Sequence, residues 1–236
     1  LGIAKLAQYA EHEFAGVKGG IMDQYASLFG KAGHALQLDC RSVEHTDVPW
    51  NPDALQLLLV DTKVKHALAG TAYNARRAAC EAAVYVLQSH YGQVQSLRDV
   101  TELMLLEHQD ELGEDVFVKA RYVVQENKRL HAAALSLQRA DFVAFGKLLN
   151  QTHWALSTEY EVSCEELDFL ITLAEEETGV LGARMVGGGF GGCTLNLIRK
   201  DRVDYFRGRV YEKFVAHFEK EPDFYSVNLS DGVSRL

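Results

Sequence analysis

The chain has 236 residues, of which 47% are hydrophobic and 24% are charged, as in soluble globular domains. Its formal net charge of −9 argues against nucleic acid and anionic membrane as partners, because diffuse Lys and Arg attraction is weak in such a chain. The four cysteines form no C-x-x-C pair, which predicts reduced thiols in a cytoplasmic protein without a zinc or redox motif.

Residues 1–54 are predicted to be the remainder of another domain. A helix with an apolar stripe comes first, and because the pattern starts without Met we expect further sequence upstream. The turn GVKGG, the short helix MDQYASLFG and the hairpin-like HALQLDCRSVE follow.

Residues 55–236 are predicted to form an α+β domain. Apolar runs or alternating patterns predict strands at LQLLLVDT from Leu55, at 183–187, at CTLNLI from Cys193 and at FYSVNL from Phe224. Helical patterns separate the first two strands and the last two strands. This order is the split β-α-β-β-α-β arrangement of ferredoxin-like domains, with extra helices inserted in the first crossover.

The helices of the first crossover carry ordinary packing and capping signals. The segment 74–88 is rich in alanine, and Asp141 is placed to cap a later helix. Ser163 and Glu166 have the spacing of a capping box ahead of the last helix in this crossover. A seven-residue repeat predicts one buried stripe in the helix over 115–139, formed by Val116, Val123, Leu130 and Leu137.

The stretch RMVGGGFGGCTLNL, residues 184–197, satisfies G-x-G-x-x-G through Gly187, Gly189 and Gly192. A dinucleotide fingerprint needs a helix after the glycines, whereas a strand follows here, and no Lys-Ser/Thr pair completes a Walker A loop. The pattern therefore predicts a hairpin-like turn whose backbone closely approaches a ligand or another loop. Two or three glycines suffice for a turn that only packs well. The five glycines here therefore favour a turn that approaches a ligand.

In GGIMDQYASLFG, Asp23 lies in the first turn of a short helix, where capping alone explains a carboxylate. The preceding Gly19 and Gly20 permit close approach, and Ile21 and Met22 provide a partly dry setting. This context favours a carboxylate that orients a hydroxyl nucleophile.

Residues 10–42 (AEHEFAGVKGGIMDQYASLFGKAGHALQLDCRS) and the stretch ARMVGGGFGGCTLNLI resemble the galactokinase family of GHMP-superfamily sugar kinases. KVKHALAGTAYNARR (63–77) and YEVSCEELD (160–168) extend the resemblance over essentially the whole chain. It implies a GHMP-kinase-like fold, with residues 55–236 as the C-terminal domain and 1–54 as the remainder of the N-terminal one. The implied reaction is ATP-dependent phosphorylation of galactose at its C1 hydroxyl.

Two family elements do not occur in this chain: the N-terminal signature and the serine-rich G-L-S-S-S loop that cradles ATP phosphates. We therefore expect the chain to be inactive by itself.

The residues EHTD at 44–47 match part of the N-terminal signature. They follow LDCRS on a predicted strand, however, and we interpret the match as a coincidence.

The resemblance implies roles for individual residues. Asp23 is the catalytic carboxylate facing the C1 hydroxyl, and Gly20 and Tyr73 contact the sugar. Glu11 matches the acidic magnesium ligand, so ATP and Mg²⁺ are the implied cofactors. The glycines implied to lie beside the phosphate loop and the reacting groups are Gly187, Gly188, Gly189, Gly191 and Gly192.

Two departures from the family pattern leave the exact sugar open: Val186 replaces a common threonine, and Gly19 replaces a usual cysteine. The alternatives are a non-catalytic galactose-sensing regulator of the same fold and a kinase acting on N-acetylgalactosamine. We expect a monomer whose partners are a small sugar and ATP, with no nucleic acid and no membrane. Arg76 and Arg77 are interpreted as surface or ion-pair residues, and His12 as structural.

Overall fold

The computed structural model describes residues 1–64 and 69–234, with residues 69 and 70 described by their backbone alone. Residues 65–68, which belong to the resembling stretch 63–77, and residues 235–236 lie outside the described residues. The chain starts with helix α1 (Gly2–Ala10), which continues into a π-helical turn (Glu11–Ala15). Helix α2 (Met22–Phe29) and an antiparallel hairpin of β1 (His34–Asp39) and β2 (Glu44–Pro49) follow, as predicted.

The remainder alternates between strands and a large helical insertion. The elements are β3 (Leu55–Asp61), α3 (Ala69–His90), a 3₁₀ turn (Leu97–Asp99), α4 (Glu102–Glu107), α5 (Gln109–Leu112), α6 (Glu114–Gln138), α7 (Phe142–Thr158), α8 (Glu165–Glu175), β4 (Val180–Met185), β5 (Cys193–Arg199), a second 3₁₀ turn (Lys200–Arg202), α9 (Val203–Phe218) and β6 (Asp223–Val227). Within the described residues, no helix combines the length and apolar character that crossing a membrane requires.

The main sheet has the strand order β4-β5-β3-β6, and every neighbouring pair is antiparallel. This arrangement confirms the predicted ferredoxin-like order, because the first strand of the domain lies between its third and fourth strands. The predicted strand at 183–187 is misplaced and runs over 180–185 instead. The strand ends before Gly187 because that residue has φ of 72°, which extended backbone does not allow.

The two faces of this sheet bury different residues, as the alternation of side chains along a strand requires. Leu58 and Ile198 face α8 and α9, where Phe206, Val210 and Phe214 are also fully buried. The residues directly before them in the two strands, Leu57 and Leu197, contact Leu149 of α7 on the opposite face. Fully burying each such side chain contributes roughly 1.5–3 kcal/mol, so both helix layers hold the sheet.

Helix α7 lies on β4 at backbone contact distance. A Cβ on Gly146 would stand 2.1 Å from the Leu181 carbonyl oxygen, and one on Gly182 would stand 2.0 Å from the Gly146 carbonyl oxygen. Neither position has room for a side chain. The glycine pair therefore fixes the separation between this helix and the sheet.

The buried stripe predicted for α6 is partly wrong. Leu130 is 47% exposed, and Val116 and Val123 are only half-buried. The helix changes partners along its length: its first half packs with the α3–α5 cluster, and its second half packs against Val48 of the hairpin through Leu137 and Ala134. A single heptad stripe cannot serve two partners that lie on different sides of the helix.

The capping predictions have mixed outcomes. The Asp141 carboxylate accepts a hydrogen bond from the Ala144 amide at 2.9 Å and caps α7 as predicted. The capping box of Ser163 and Glu166 is wrong, because α8 begins after Cys164 and the Ser163 hydroxyl donates to Asp168 at 2.5 Å. All four cysteines are free, as their spacing predicts.

The N-terminal elements have a small core of their own around Ala4, Ile21 and Tyr25, packed against apolar residues of the hairpin. Ile3, Leu6 and Phe14 are exposed on α1 and the π-helical turn. The hairpin also contacts the second half of α6 through Val48, so packing continues across residue 54. The domain boundary at residues 54 and 55 stays a prediction.

Candidate active site

A cleft of about 410 Å³ brings together residues from four separate parts of the chain. Six of the site residues implied by the family resemblance line it: Glu11, Gly20, Asp23, Tyr73, Gly187 and Gly188. Val17, Gly19 and Met22 complete the lining, and no sequence argument singled out Val17. The carboxylate near the start of the chain and the glycine turn near its end thus face the same cleft.

Asp23 is the second residue of α2, and its side chain is exposed. The residue before this helix, Ile21, provides no side-chain cap, so the first-turn amides favour an anion near this end of the cleft. The partly dry setting predicted here is wrong for Met22, which is 56% exposed, and holds only for the buried Ile21. Asp23 is therefore accessible to a ligand in the cleft.

Glu11 opens the π-helical turn and is half-buried. Its Oε2 accepts a hydrogen bond from Gln24 Nε2 at 2.8 Å, and Gln24 is the neighbour of Asp23 on α2. Gly19 lies so close that a Cβ there would stand 3.1 Å from the same oxygen. Carboxylate oxygens are ligands that Mg²⁺ accepts, so this position suits a hard cation near Asp23.

The turn over residues 16–20 is held from two sides. The Gly19 carbonyl accepts hydrogen bonds from Gln8 Nε2 at 3.1 Å and from His12 Nε2 at 2.7 Å. Asn74 donates to the Gly16 carbonyl and accepts from the Lys18 amide, both at 3.1 Å. Sequence reasoning missed Gln8 and Asn74, although the position of Asn74 directly after Tyr73 links this turn to α3.

The glycine turn, residues 186–192, connects β4 to β5, as its glycines and flanking strands predict. Gly187 and Gly188 line the cleft, Gly189 and Gly191 pack against other loops, and Gly192 has no atom within 4 Å of its Cβ position. A Cβ on Gly189 would stand 2.0 Å from the Val162 carbonyl oxygen, and one on Gly191 would stand 2.4 Å from that of Val64. The Gly192 carbonyl accepts from the Thr62 amide at 2.9 Å. The turn therefore approaches both an open cleft and other loops.

A second cavity of about 360 Å³ adjoins the cleft and shares Met22 and Gly187 with it. Most of its lining is apolar and comes from β1, α6 and α7. Val186, which departs from the pattern of the resembling family, contributes its apolar side chain to this lining.

The remaining residues named from the sequence have structural contacts. Arg76 pairs with Glu161 at 3.2 Å and Arg77 with Glu81 at 2.8 Å, which confirms that they are ion-pair residues. The letters EHTD lie on β2, as predicted, where His45 Nδ1 lies 2.8 Å from the Tyr25 hydroxyl.

Within the part of the chain that the structure describes, one group of three side chains has metal-ligand chemistry: His90, His108 and Glu111. None of them lines the cleft. The two imidazole rings are stacked, with centroids 3.9 Å apart and planes 24° from parallel. A metal must lie close to the plane of each imidazole at about 2 Å from its nitrogen, so this arrangement does not fit an ion.

Two sequence families match the chain. GHMP kinases N terminal domain matches residues 1–31, and GHMP kinases C terminal matches residues 133–216. The chain is 41% identical over 234 residues to a galactokinase of Roseiflexus sp. (strain RS-1) and 40% identical over 233 residues to the galactokinase of Homo sapiens. These matches cover 99% of this chain but only 60% and 57% of the two relatives.

The fold matches that of Lactococcus lactis galactokinase, whose crystal structure was solved in complex with galactose. The TM-score is 0.93 at 33% sequence identity, and the match covers 99% of this chain and 60% of the Lactococcus protein. The chain thus spans about three-fifths of the length of the galactokinases it resembles. Together with the cleft described above, these similarities show that the chain belongs to the GHMP kinase family, as a relative of the galactokinases.

Proposed function

We propose that this chain is part of a galactokinase that transfers the γ-phosphoryl group of ATP to the C1 hydroxyl of galactose. The observation that carries the proposal is the shared cleft, which joins Asp23, Glu11 and the glycine turn. The similarity in fold and sequence to a galactokinase that binds galactose supports it further. Free cysteines favour a cytoplasmic location for the enzyme.

Asp23 orients the C1 hydroxyl and accepts its proton late in the reaction. A carboxylate of ordinary pKa, about 4, is a weak base toward a sugar hydroxyl. Phosphoryl transfer has a loose transition state, so the nucleophile needs little deprotonation before the phosphoryl group moves. The exposed carboxylate at the start of α2 suits this orienting role.

Tyr73 and Gly20 contact the sugar. Tyr73 is half-buried on α3, and a Cβ on Gly188 would stand 3.7 Å from its ring, so the tyrosine and the glycine turn enclose one end of the cleft. A hydroxyl partner in such a site discriminates against sugars that lack the matching hydroxyl, because the partner is then left unpaired. Substrate selection thus depends partly on this residue.

Glu11 would hold magnesium, and ATP phosphates and water would complete its ligands. The Gln24 amide occupies one carboxylate oxygen, Oε2, and orients the other for a hard cation. When bound, the ion neutralises charge on the transferring phosphoryl group. Gly187 and Gly188, which line the same cleft, let the backbone approach that group closely.

A chimera tests the function directly. This chain replaces the matching segment of the Lactococcus lactis galactokinase, which keeps the part that the match leaves uncovered. We expect ATP-dependent formation of galactose 1-phosphate, measured by ³¹P NMR, and loss of that activity in the Asp23→Asn chimera. The isolated chain serves as the comparison and should form no product.

The outcomes separate the alternatives. A folded chimera that binds galactose without turnover supports a sensing regulator, and preference for N-acetylgalactosamine in a sugar panel supports the other kinase. Robust product from the isolated chain contradicts the expectation that it needs the uncovered part. A folded chimera that neither binds nor phosphorylates any sugar of the panel would overturn the proposal.

A further inference from the structure

The stretch YEVSCEELD, residues 160–168, contributes to the resemblance but has no role in the cleft. Its first residues belong to the connection between α7 and α8, residues 159–164, which we call the buttress loop. The Val162 carbonyl of this loop accepts a hydrogen bond from the Phe190 amide at 2.7 Å and presses against Gly189. The buttress loop is therefore the surface on which the glycine turn rests.

Asp168 ties the buttress loop to the helices on either side of it. The Ser163 hydroxyl of the loop donates to Asp168 Oδ1 at 2.5 Å, and the Ser157 hydroxyl of α7 donates to Oδ2 at 2.7 Å. Asp168 itself lies in the first turn of α8. One carboxylate thus joins the end of α7, the loop and the start of α8.

His153 connects this carboxylate to the strand that enters the glycine turn. Its fully buried ring accepts a hydrogen bond from the Met185 amide at Nδ1, with a distance of 3.2 Å. The neutral ring therefore carries its proton on Nε2, which lies 3.1 Å from Asp168 Oδ1. Met185 is the last residue of β4, immediately before the turn.

The position of β4 explains why a side chain is needed there. It is an edge strand, so alternate amides point away from the sheet and need partners from another element. Asn150 of α7 accepts from the Ala183 amide at 2.6 Å, and His153 accepts from the Met185 amide. On the inner side, the Val186 amide donates to the Cys193 carbonyl at 3.0 Å. The outer contact at Met185 thus fixes the direction in which the chain leaves the strand.

We propose that His153 and Asp168 are positioning residues, which set the orientation of Gly187 and Gly188 toward the transferring phosphoryl group through Met185 and the buttress loop. This inference rests on the proposed kinase function. Neither residue lines the cleft, so neither touches the sugar. Their loss should reduce the rate of phosphoryl transfer and leave galactose binding by Gly20, Asp23 and Tyr73 nearly unchanged.

Substitutions at His153 separate positioning from general stability. His153→Asn keeps an acceptor at the place of Nδ1, whereas His153→Leu removes both ring nitrogens. Val210→Ala, in the core between α8, α9 and the sheet, is the matched control, because it destabilises the same domain and Val210 is not part of this hydrogen-bond network. Asp168→Asn provides a second variant that keeps the shape and removes the charge.

The first measurement is hydrogen exchange of the Met185–Phe190 amides in the full 236-residue chain, which needs no activity. We expect exchange about tenfold faster in His153→Leu, near-normal exchange in His153→Asn, and unchanged exchange over Met22–Gln24 in both. The second is steady-state kinetics of the chimera per folded molecule. His153→Leu should lower kcat by roughly 10- to 100-fold at a galactose KM within about twofold, with recovery in His153→Asn.

Three results would overturn the inference. They are normal kcat in folded His153→Leu, an equal kcat loss in Val210→Ala of matched stability, and an increase in galactose KM equal to the fall in kcat. If the unmodified chimera has no kinase activity, the proposed function fails, while the exchange measurement still decides whether His153 orders the turn.

Discussion

The two walls of the cleft are built in opposite ways. On the α2 wall, Asp23 is exposed and Glu11 half-buried, and both present charged side chains to the ligand. On the glycine wall, Gly187 and Gly188 present backbone, and the rest of the turn rests on the buttress loop and on Val64. Charges can therefore be changed on the first wall with little effect on folding, whereas changes on the second wall affect stability and catalysis together.

The largest expected effect belongs to the α2 wall. Asp23→Asn in the chimera should lower kcat by ~10²–10⁴-fold, because the variant loses orientation and proton acceptance at the C1 hydroxyl. The unfolding free energy should fall by less than about 1 kcal/mol, which is the usual size of a charge interaction with a helix start. Kinetics and urea unfolding of the same preparation measure both quantities.

Glu13→Gln is the control for Asp23→Asn. Glu13 is an exposed carboxylate in the π-helical turn and does not line the cleft. Its variant should keep nearly full kcat. Near-normal turnover of Asp23→Asn would remove Asp23 from the mechanism, and a large stability loss would contradict the comparison of the two walls.

The next largest effect is expected within the glycine wall, where Gly189 and Gly187 differ in their surroundings. Gly189→Ala combines φ of 85° with a Cβ 2.0 Å from the Val162 carbonyl oxygen, so the buttress loop must move. Gly187→Ala has φ of 72° but no atom within 4 Å of its Cβ, so only backbone strain of about 1 kcal/mol is expected. Thermal and urea unfolding should rank Gly189→Ala as clearly less stable, and equal stabilities would contradict the tight packing.

The pH dependence of stability tests the support behind the glycine wall. Burial raises the pKa of Asp168, but hydrogen bonds from His153, Ser163 and Ser157 outweigh it and leave the pKa below its usual value. Because the folded pKa is the lower one, the stabilisation is present above the unfolded pKa of about 3.9 and is lost as pH falls through the folded value.

Asp168→Asn should therefore show a constant stability deficit between about pH 5 and 8 that shrinks below about pH 4. Urea unfolding across this range measures it. Val210→Ala carries no titratable group and should show a deficit without this acid-dependent change. An Asp168→Asn deficit that is unchanged in acid would contradict the lowered pKa.

The smallest expected effect concerns the contact between Gly19 and Glu11. In Gly19→Ala, the new Cβ would stand 3.1 Å from Glu11 Oε2, so the carboxylate must shift by a few tenths of an ångström. We expect a roughly two- to fivefold higher magnesium requirement of the chimera, equivalent to about 0.5–1 kcal/mol. Titration of kinase activity with magnesium measures it, and an unchanged requirement would argue against Glu11 as a ligand.

Much of the architecture could be predicted from local pattern. The alternating strand at Cys193 and the apolar spacing of Phe206, Val210 and Phe214 indicate which face of each element is buried, and the succession of strands and helices along the chain indicates the ferredoxin-like order. The Asp141 cap depends only on neighbouring residues and was equally predictable. In each case the information lies within one element.

The errors and omissions have a common physical cause. Leu130 follows the heptad pattern but is exposed, because α6 changes partners along its length. Ser163 has capping-box spacing, but Asp168 competes for its hydroxyl. Gln8 and Asn74 act through contacts with residues far along the chain, which no periodicity encodes. Only the family resemblance predicted that Asp23 and Gly187 line the same cleft.

The glycine pair between α7 and β4 has a consequence for how the sequence can vary. From Gly146 to His153 the helix rises about 10.5 Å, and from Gly182 to Met185 the strand advances about 10 Å. Two helical turns thus span nearly the same distance as three strand residues. The contact between Gly146 and Gly182 and the hydrogen bond between His153 and Met185 can therefore form together. Inserting or deleting one residue in either segment would break this match, so we expect homologous chains to differ here by substitution and never in length.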